Sequence, residues 1–269
     1  MATERYSHGH HDSVLRSHRW RTAENSAGFL LPHLSKGMSL LDVGCGPGNI
    51  TADLASRLGD GPVIGIDLSE EVIELASSQY DTVTNPNLSF EVGNVYELDY
   101  LDDHFDVVYA HQVLQHLSRP VDALQEMKRV LKPGGTLAVR DADYGGFVWS
   151  PGDPRLDRWL ALYHHILRAN GAEADAGRYL KSWVSAAGFD DLIVSSSNWT
   201  FQSAEERSWW GGLWAERILY SDFARQGLEY GLTSKEELAE VSDAFIQWSK
   251  EPYGIFVIVN VEVLATRST

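Results

Sequence analysis

The chain has 269 residues, of which 43% are hydrophobic and 22% charged, the balance of a globular protein with one large domain or a domain with an appendage. Its formal net charge of −16 argues against DNA or RNA as a partner, because nucleic-acid binding depends on Lys and Arg that neutralise phosphates. Cys45 is the single cysteine, which excludes an intramolecular disulfide and agrees with the reducing cytoplasm in which we expect this protein. The sequence has neither a secretory signal nor an apolar run of about 18 residues, so we expect no membrane span.

Apolar runs alternate with amphipathic segments between residues 37 and 140. The runs MSLLDVG, PVIGIDLS, LSFEVGN, FDVVYAH and GTLAVRDAD predict five strands. The segments NITADLASRLG, EEVIELASSQY and PVDALQEMKRVL predict helices, the last of which begins with proline and stops at KPGG. Such alternation is typical of βαβ units, so we expect a parallel sheet with helices on both faces.

The pattern changes beyond residue 145. Two predicted helices and a sixth strand, DDLIVSSSNWTF, are followed by the helical segments SAEERSWWGGLWAERILYSDFARQG and SKEELAEVSDAFIQWSK and by a seventh strand, GIFVIVNVEVLAT. We interpret those two helices as an insertion between the last two strands. The prediction is a Rossmann-like α/β fold with a seven-stranded, mostly parallel sheet. Its parts would be an N-terminal helical lid segment (1–35), a core (36–200 and 251–269) and a helical cap (201–250).

Three glycines and a proline follow the first strand, in LLDVGCGPGNIT. Gly44, Gly46 and Gly48 permit a tight turn and a close approach of the backbone to a ligand, at the strand end where open parallel sheets bind ligands. Asp67 ends the second strand about 20 residues further on, where a carboxylate accepts hydrogen bonds from ribose hydroxyls. The combination indicates a cofactor that contains adenosine.

The spacing of the glycines helps to distinguish two classes of cofactor, dinucleotides and S-adenosylmethionine. G-C-G-P-G departs from the G-x-G-x-x-G pattern that accommodates a dinucleotide pyrophosphate. Asp42 precedes these glycines. Its negative charge would be repelled by a pyrophosphate but attracted by the positively charged amino group of a methionine moiety. The residues favour S-adenosylmethionine. An NAD(P)-dependent oxidoreductase and a non-catalytic cofactor-binding protein stay open as alternatives.

LLDVGCGPGNIT resembles motif I of the class I S-adenosylmethionine-dependent methyltransferases. The resemblance continues in chain order through VIGIDLS, VGNVYELDY, FDVVYAHQVLQHLSRP and VLKPGGTLAV, and it covers about residues 20–143. Asn94 stands where the family usually has an aspartate. The subgroup that the chain is most similar to is the UbiE-like small-molecule methyltransferases, which implies methyl transfer to a small-molecule acceptor.

The resemblance also implies which residues contact the cofactor. Gly44 and Gly46 would face the methionine and ribose moieties through their backbone, Asp42 would meet the amino group, and Asp67 would bind the ribose diol. The further contacts that it implies come from Leu68 on the adenine face, Asn94 and Val95 at the adenine edge, His111 and Gln112 beside the methionine, and Tyr6 and Arg21 in the N-terminal segment.

The sulfonium of the cofactor supplies the difficult chemistry, so the protein must align the nucleophile and exclude water. A base is needed only if the nucleophile loses a proton during the attack. No metal site is expected, because the histidines at the N-terminus lack carboxylate partners at metal-ligand spacing. The candidates for a base lie near the ends of the fourth and fifth strands and could equally be packing or capping residues: His111, His116, Asp141, Asp143 and Tyr144.

Tryptophans are concentrated in the predicted cap. SWWGGLWAERILY places Trp209, Trp210 and Trp214 within two helical turns, with Tyr220 further along. Most of the nine tryptophans are expected in the core, but aromatic rings on inserted helices beside YGGFVW indicate an apolar, aromatic or isoprenoid-like acceptor. The glycines of YGG predict the hinge of a lid. Oxygen, nitrogen, carbon and sulfur nucleophiles all stay open at this point.

Overall fold

The computed structural model describes residues 7, 9, 11–80 and 84–268. One sheet runs through the molecule. Its strands are β1 Leu40–Val43, β2 Val63–Asp67, β3 Leu88–Val92, β4 Phe105–His111, β5 Leu131–Ala142, β6 Val148–Ser150, β7 Asp191–Phe201 and β8 Ile255–Thr266. The helices are α1 Asp12–Arg19, α2 Ala23–Ser26, α3 Asn49–Leu58, α4 Glu70–Gln79, α5 Pro120–Val130, α6 Pro154–Ala169, α7 Ala176–Ala186, α8 Ala204–Tyr220, α9 Asp222–Glu229 and α10 Lys235–Ser249.

The strand order is β3-β2-β1-β4-β5-β8-β6, and β7 pairs with the other edge of β8. The first five strands are mutually parallel, whereas β8 is antiparallel to β5, β6 and β7. Crossover helices cover both faces of the sheet. This arrangement confirms the predicted Rossmann-like α/β fold with a mostly parallel sheet.

Two details of the prediction were wrong. The sheet has an eighth strand, β6, because the chain turns at Tyr144–Gly146 and then follows the same edge of β8 that β5 occupies. A strand of three residues is too short to show a periodic pattern. The segment predicted as one long helix is two, α8 and α9. They are separated at Ser221, whose hydroxyl donates to the Arg217 carbonyl at 2.6 Å and caps α9 by accepting from the Phe223 N–H.

Buried apolar side chains form a cluster on each face of the sheet and a third cluster among the C-terminal helices. Strand β1 serves both faces, since Leu41 packs on the side of α5 and α7 whereas Leu40 packs on the side of α3. In the third cluster the Trp159 ring lies 4.7 Å from Trp214 and 5.2 Å from Phe245, measured between centroids. Five of the nine tryptophans are buried, so the aromatic content of the sequence serves mainly the core.

The three helices α8, α9 and α10 lie between β7 and β8 in the chain and pack against α6 and α1. Across the residues that the structure describes, no helix combines the length and the apolar character needed to cross a bilayer.

Candidate active site

A cavity of about 410 Å³ lies beyond the carboxyl ends of β1, β2 and β4. The chain leaves β1 toward β2 on one side, and β4 lies on the other, so the cavity is at the point where the strand order reverses. Its other walls come from α1, the turn after β5, β7 and α8. The sequence-predicted residues that line it are Arg21, Asp42, Gly44, Gly46, Asp67, Leu68, Asn94, Val95, His111, Gln112, His116 and Tyr144.

The glycine turn after β1 is required by backbone conformation and by space. Gly44 and Gly46 have φ values of 71° and 55°, in the left-handed region that favours glycine. A Cβ atom at Gly44 would overlap the Val113 side chain, whereas at Gly46 the nearest atom is His18 Nδ1, 3.7 Å away. The backbone therefore packs tightly at Gly44 and opens onto the cavity at Gly46.

Asp67 connects the end of β2 to the glycine turn. One carboxylate oxygen accepts the Gly46 N–H at 3.2 Å and the other accepts the Ser69 N–H at 3.1 Å. Leu68 is 58% exposed and lies at the same end of the cavity, together with Asn94. This end offers a carboxylate, an exposed apolar side chain and a side-chain amide to a ligand.

Asp42 is buried in the cavity wall at the end of β1. Burial raises its pKa to about 7; the hydrogen bond that it accepts from the Thr51 hydroxyl at 2.7 Å opposes this shift, and the charge of Asp67 adds to it. A cation bound in the cavity would favour the ionised form of this carboxylate.

Gln112 follows β4 and has a φ of 54°, a strained value for a residue with a side chain. Its N–H donates to the Arg140 carbonyl at 2.7 Å, which holds this conformation. Its side chain accepts from Arg21 at 2.7 Å and donates to Asn260 at 3.3 Å. The strained residue therefore fastens the N-terminal segment to β8 across the cavity.

Two histidines in the cavity wall resist protonation. Burial holds the pKa of His111 well below its usual value, and the charges of Arg140 and Arg21 lower it further. Arg140 Nη1 lies 3.4 Å from His111 Nδ1. Burial lowers the pKa of His116 to about 3. Both imidazoles are therefore neutral at pH 7 and weak as bases.

The other candidate bases occupy different surroundings. Asp141 lies behind the cavity wall, where it accepts the Gln115 N–H at 3.2 Å, and burial raises its pKa to about 8. Asp143 is held by Arg178, whose Nε donates to it at 2.8 Å. Tyr144 lines the cavity, and its ring stacks at 3.8 Å on Tyr163. The catalytic roles of these residues stay predictions.

Several cavity residues were not found by sequence reasoning. Trp199 reaches the wall because β7 pairs with β8, and Arg217 and His18 reach it from α8 and α1. No local pattern marks residues that are brought in by such long-range packing.

Trp209, Trp210 and Trp214 do line the cavity, whereas Tyr220 is 67% exposed and lies outside it. Tyr6, a predicted cofactor contact, lies outside the described residues.

Helix α1 covers the cavity and is fastened at both sides. Arg217 Nη2 donates to the Ser17 hydroxyl at 2.8 Å and to the Ser13 carbonyl at 3.1 Å. The side-chain amide of Asn49, the first residue of α3, donates to the carbonyls of His18 and Arg21 at 3.0 and 2.9 Å. The segment around α1 therefore links the C-terminal helices to the glycine turn.

A family model described as a methyltransferase domain matches residues 34–188, which is more than half of the chain. The chain belongs to this methyltransferase family. The methyltransferase is 32% identical over 268 residues to an uncharacterised methyltransferase of Schizosaccharomyces pombe, covering 96% of this chain and 95% of the relative. It is 36% identical over 142 residues to the 27-O-demethylrifamycin SV methyltransferase of Amycolatopsis mediterranei, covering 51% of each.

The fold of the methyltransferase is similar to the folds of solved protein structures. The crystal structure of the YcgJ protein from Bacillus subtilis matches it with a TM-score of 0.58 and 21% identity, over 90% of this chain and 97% of that one. The family match confirms a class I methyltransferase of the UbiE-like group, an enzyme whose cofactor is S-adenosylmethionine. The alternative of an NAD(P)-dependent oxidoreductase is thereby excluded.

The residues present fit this cofactor. The backbone at Gly46 leaves room for a ligand where a larger residue would be strained, and the buried carboxylate of Asp42 is complementary to an ammonium group. Asp67 and Leu68 at the open end match a ribose and an adenine ring in polarity. The individual contacts stay predictions.

Proposed function

We propose that this methyltransferase methylates a small apolar or aromatic acceptor by in-line displacement. When bound, S-adenosylmethionine would supply a methyl group on a sulfonium, which is a good leaving group for such a displacement. The observation that carries the proposal is that a single cavity extends from Gly46 and Asp67 to a wall of aromatic rings. A relative named for a demethylrifamycin acceptor supports a small molecule over a macromolecule.

The aromatic wall is rigid because its rings support one another. Trp210 stacks on Phe201 with centroids 4.5 Å apart, and Tyr144 stacks on Phe147 at 4.4 Å. Trp214 packs edge-on against Trp210 at 5.9 Å. Such a surface binds apolar groups and excludes water, which strengthens every polar interaction made within it.

We propose that the opposite end of the cavity holds the cofactor. Asp67 would accept hydrogen bonds from the ribose hydroxyls, and Asp42 would neutralise the amino group. Gln112 and His111 would border the methionine moiety, and Arg21 would meet its carboxylate. The adenine would lie between Leu68 and the polar edge made by Asn94 and Val95.

The chain's contribution to the reaction is positioning and desolvation, which together can supply about 7–11 kcal/mol of the barrier. Tyr144 would orient the acceptor, because burial raises the pKa of its hydroxyl and keeps it protonated as a hydrogen-bond donor. His111 and His116, being neutral, would donate or accept hydrogen bonds without taking up a proton. Asp141 would not contact the acceptor; it would position the turn that carries Gln115 by accepting the Gln115 N–H.

The proposal is tested by turnover of S-adenosylmethionine labelled in its methyl group, against a panel of phenols, quinones, amines and terpenoid acids. Label should pass to at least one apolar member of the panel, and Asp67→Ala should abolish the transfer. Tight binding of S-adenosylhomocysteine without transfer of label to any apolar member would contradict the proposed class of acceptor.

A further inference from the structure

Polar side chains form a row across four neighbouring strands and reach the cavity wall. In the register of the sheet, His111 on β4 is paired with Arg140 on β5, Arg140 with Glu262 on β8, and Glu262 with Ser195 on β7. Residues paired directly across two strands project from the same face of a sheet. The row therefore lies on one face, and it reaches the cavity at His111.

The row is buried, and polar contacts connect its members. Arg140 is fully buried and Glu262 is 5% exposed. Arg140 Nε lies 3.3 Å from one oxygen of the Glu262 carboxylate, and the other oxygen accepts the Ser195 hydroxyl at 2.7 Å. The Ser197 hydroxyl accepts from Arg140 Nη2 at 3.1 Å and donates to Glu262. A guanidinium stays charged in proteins, and it has five N–H donors but no acceptor.

The contact between Arg140 and His111 determines which ring nitrogen carries the proton. Arg140 Nη1 lies 3.4 Å from His111 Nδ1. Because the guanidinium can only donate, Nδ1 must accept, and the proton of the neutral ring is left on Nε2. Burial and the charge of Arg140 both lower the pKa of His111, which opposes a second proton. The Arg140 carbonyl acts in the opposite direction, but it already accepts the Gln112 N–H at 2.7 Å.

This arrangement reverses the one that makes histidine a base. In a Ser-His-Asp triad a carboxylate binds the Nδ1–H of the histidine and leaves Nε2 free to take up a proton. Here a guanidinium occupies the place of the carboxylate, and Glu262 lies one position further along the row, where it contacts Arg140. The Nε2 atom of His111 is therefore a donor and has no lone pair to offer to a proton.

That donor is buried, and among residues 7, 9, 11–80 and 84–268 it has no hydrogen-bond partner. The His111 ring packs edge-on against Trp199 with centroids 5.6 Å apart, and both residues line the cavity. A buried N–H without a partner is unfavourable, and a hydrogen bond to an oxygen atom of a ligand would remove this cost.

We infer that Arg140 is a positioning residue that holds His111 as its Nε2–H tautomer, and that His111 serves methyl transfer as a hydrogen-bond donor to a ligand oxygen and not as a base. The inference rests on the proposed function and deepens it. Two ligands can supply the oxygen: the cofactor, through the carboxylate of its methionine moiety, or the acceptor. Glu262 holds the guanidinium in place and so contributes to the same positioning.

Nuclear magnetic resonance of the full chain, with isotopically labelled histidine nitrogens, measures the tautomer without any ligand. The signals of His111 are those that disappear in His111→Gln. Nε2 should be protonated and Nδ1 bare throughout about pH 5–8, the range in which an unperturbed histidine changes charge. A protonated Nδ1, or a ring that titrates within this range, would overturn the inference.

Variants of the row test the role of Arg140. Arg140→Met combined with Glu262→Gln removes both charges of the buried pair, so neither is left unpaired. In this double variant His111 should populate both tautomers or titrate within the same range, whereas Arg140→Lys should keep part of the preference because lysine is a charged donor. Arg158→Met, which removes an exposed cation that pairs with Glu240, is the control and should leave the His111 signals unchanged. An unaltered tautomer in the double variant would show that Arg140 does not set it.

Binding experiments identify the ligand that supplies the oxygen. His111→Gln keeps an N–H at about the place of Nε2, and His111→Leu keeps none. If the cofactor supplies the oxygen, the affinity for S-adenosylhomocysteine should fall by about tenfold in the leucine variant and by at most about threefold in the glutamine variant. The Nε2–H signal of the native chain should then shift on binding.

If the acceptor supplies the oxygen, both variants should bind S-adenosylhomocysteine normally. The Nε2–H signal should then shift when 2-naphthol, a phenol, is added to the chain saturated with S-adenosylhomocysteine. The absence of a shift with either probe would overturn the donor role of His111. Failure of the native chain to bind S-adenosylhomocysteine would contradict the proposed function itself, on which the measurement of the tautomer does not depend.

Discussion

Arg21 donates a hydrogen bond to the side chain of Gln112 at 2.7 Å, and so joins the segment after α1 to a strained residue at the end of β4. Gln112 also contacts Asn260 on β8. Strain of this kind persists only where surrounding contacts hold it, and it is concentrated at functional sites. Substitutions of Gln112 can therefore separate the effect of backbone strain from the effect of its side-chain contacts.

Gln112→Ala and Gln112→Gly should both weaken S-adenosylhomocysteine binding, by about tenfold, because both lose the hydrogen bond from Arg21. Their stabilities should differ. Glycine relieves the left-handed strain, worth about 1 kcal/mol, so its Tm should be about 2–4 °C above that of the alanine variant. Calorimetric titration and thermal unfolding measure the two effects. Equal Tm values would show that the backbone at Gln112 is not strained.

Asp42→Asn should change the dependence of stability on pH. The pKa of Asp42 rises from 3.8 to about 7 on folding, so the folded protein holds this proton more strongly than the unfolded chain. The stability contributed by Asp42 is therefore complete at low pH and is lost as the pH rises through about 7. The variant should gain several degrees in Tm relative to the native chain at about pH 8, and much less at about pH 4.

The same substitution should remove a pH dependence of cofactor binding. An ionised Asp42 attracts the cofactor's amino group, so the native affinity should increase as the pH rises from about 6 to 8. In Asp42→Asn the affinity should be lower, by about tenfold at pH 8, and nearly independent of pH over this range. Calorimetric titration at several pH values checks this, and a parallel pH profile in both proteins would exclude Asp42 as the group responsible.

Asp67→Asn and Asp67→Ala should weaken cofactor binding to different degrees. The carboxylate accepts the N–H groups of Gly46 and Ser69, and asparagine keeps one acceptor oxygen whereas alanine keeps none. We expect affinity for S-adenosylhomocysteine to fall by about tenfold in the asparagine variant and by about a hundredfold in the alanine variant. Glu91→Ala, on the exposed end of β3, is the control and should bind normally. Equal affinities in all four proteins would contradict the cofactor site.

Gly44→Ala should be far more disruptive than Gly37→Ala, although both glycines have positive φ. At Gly37 nothing lies within 4 Å of an added Cβ, so the cost is strain alone, about 1 kcal/mol. At Gly44 the added atom overlaps Val113, which should cost a further ~2 kcal/mol and displace the turn from the ligand. Denaturant unfolding measures both costs. In the double variant with Val113→Ala the stability should partly recover, and additive effects would refute the overlap.

Much of the site could be predicted because it is built from local features. The strand before Gly44 and the helix after it show their periodic patterns in consecutive residues. Parallel strands also bring their carboxyl ends to one edge, so Asp42, Asp67 and His111 had to lie near one another once the strands were assigned. The resemblance to a known family added the predictions for Leu68, Asn94 and Val95, which spacing alone does not indicate; all three line the cavity, and their roles stay predictions.

Other features depend on contacts between distant segments. Trp199 reaches the cavity through the pairing of β7 with β8, and Arg217 through the packing of α8 on α1. Burial lowers the pKa values of His111 and His116 and keeps both imidazoles neutral, and no pattern of neighbouring residues specifies that burial. The break at Ser221 was missed because the helical pattern continues across it, and only a side-chain cap marks the new helix.

The amino-acid sequence by itself determined the class of fold and the glycine turn and favoured S-adenosylmethionine as the cofactor, since hydrophobic periodicity, glycine conformation and a carboxylate at a strand end act over a few consecutive residues. The tertiary structure alone decided what lines the aromatic end of the cavity. The aromatic wall and the guanidinium of Arg217 come from β7 and α8, and their place in the cavity is set by how those elements bury their apolar surfaces. Because burial also sets the charge states of the groups in the cavity wall, those charge states cannot be read from the sequence alone.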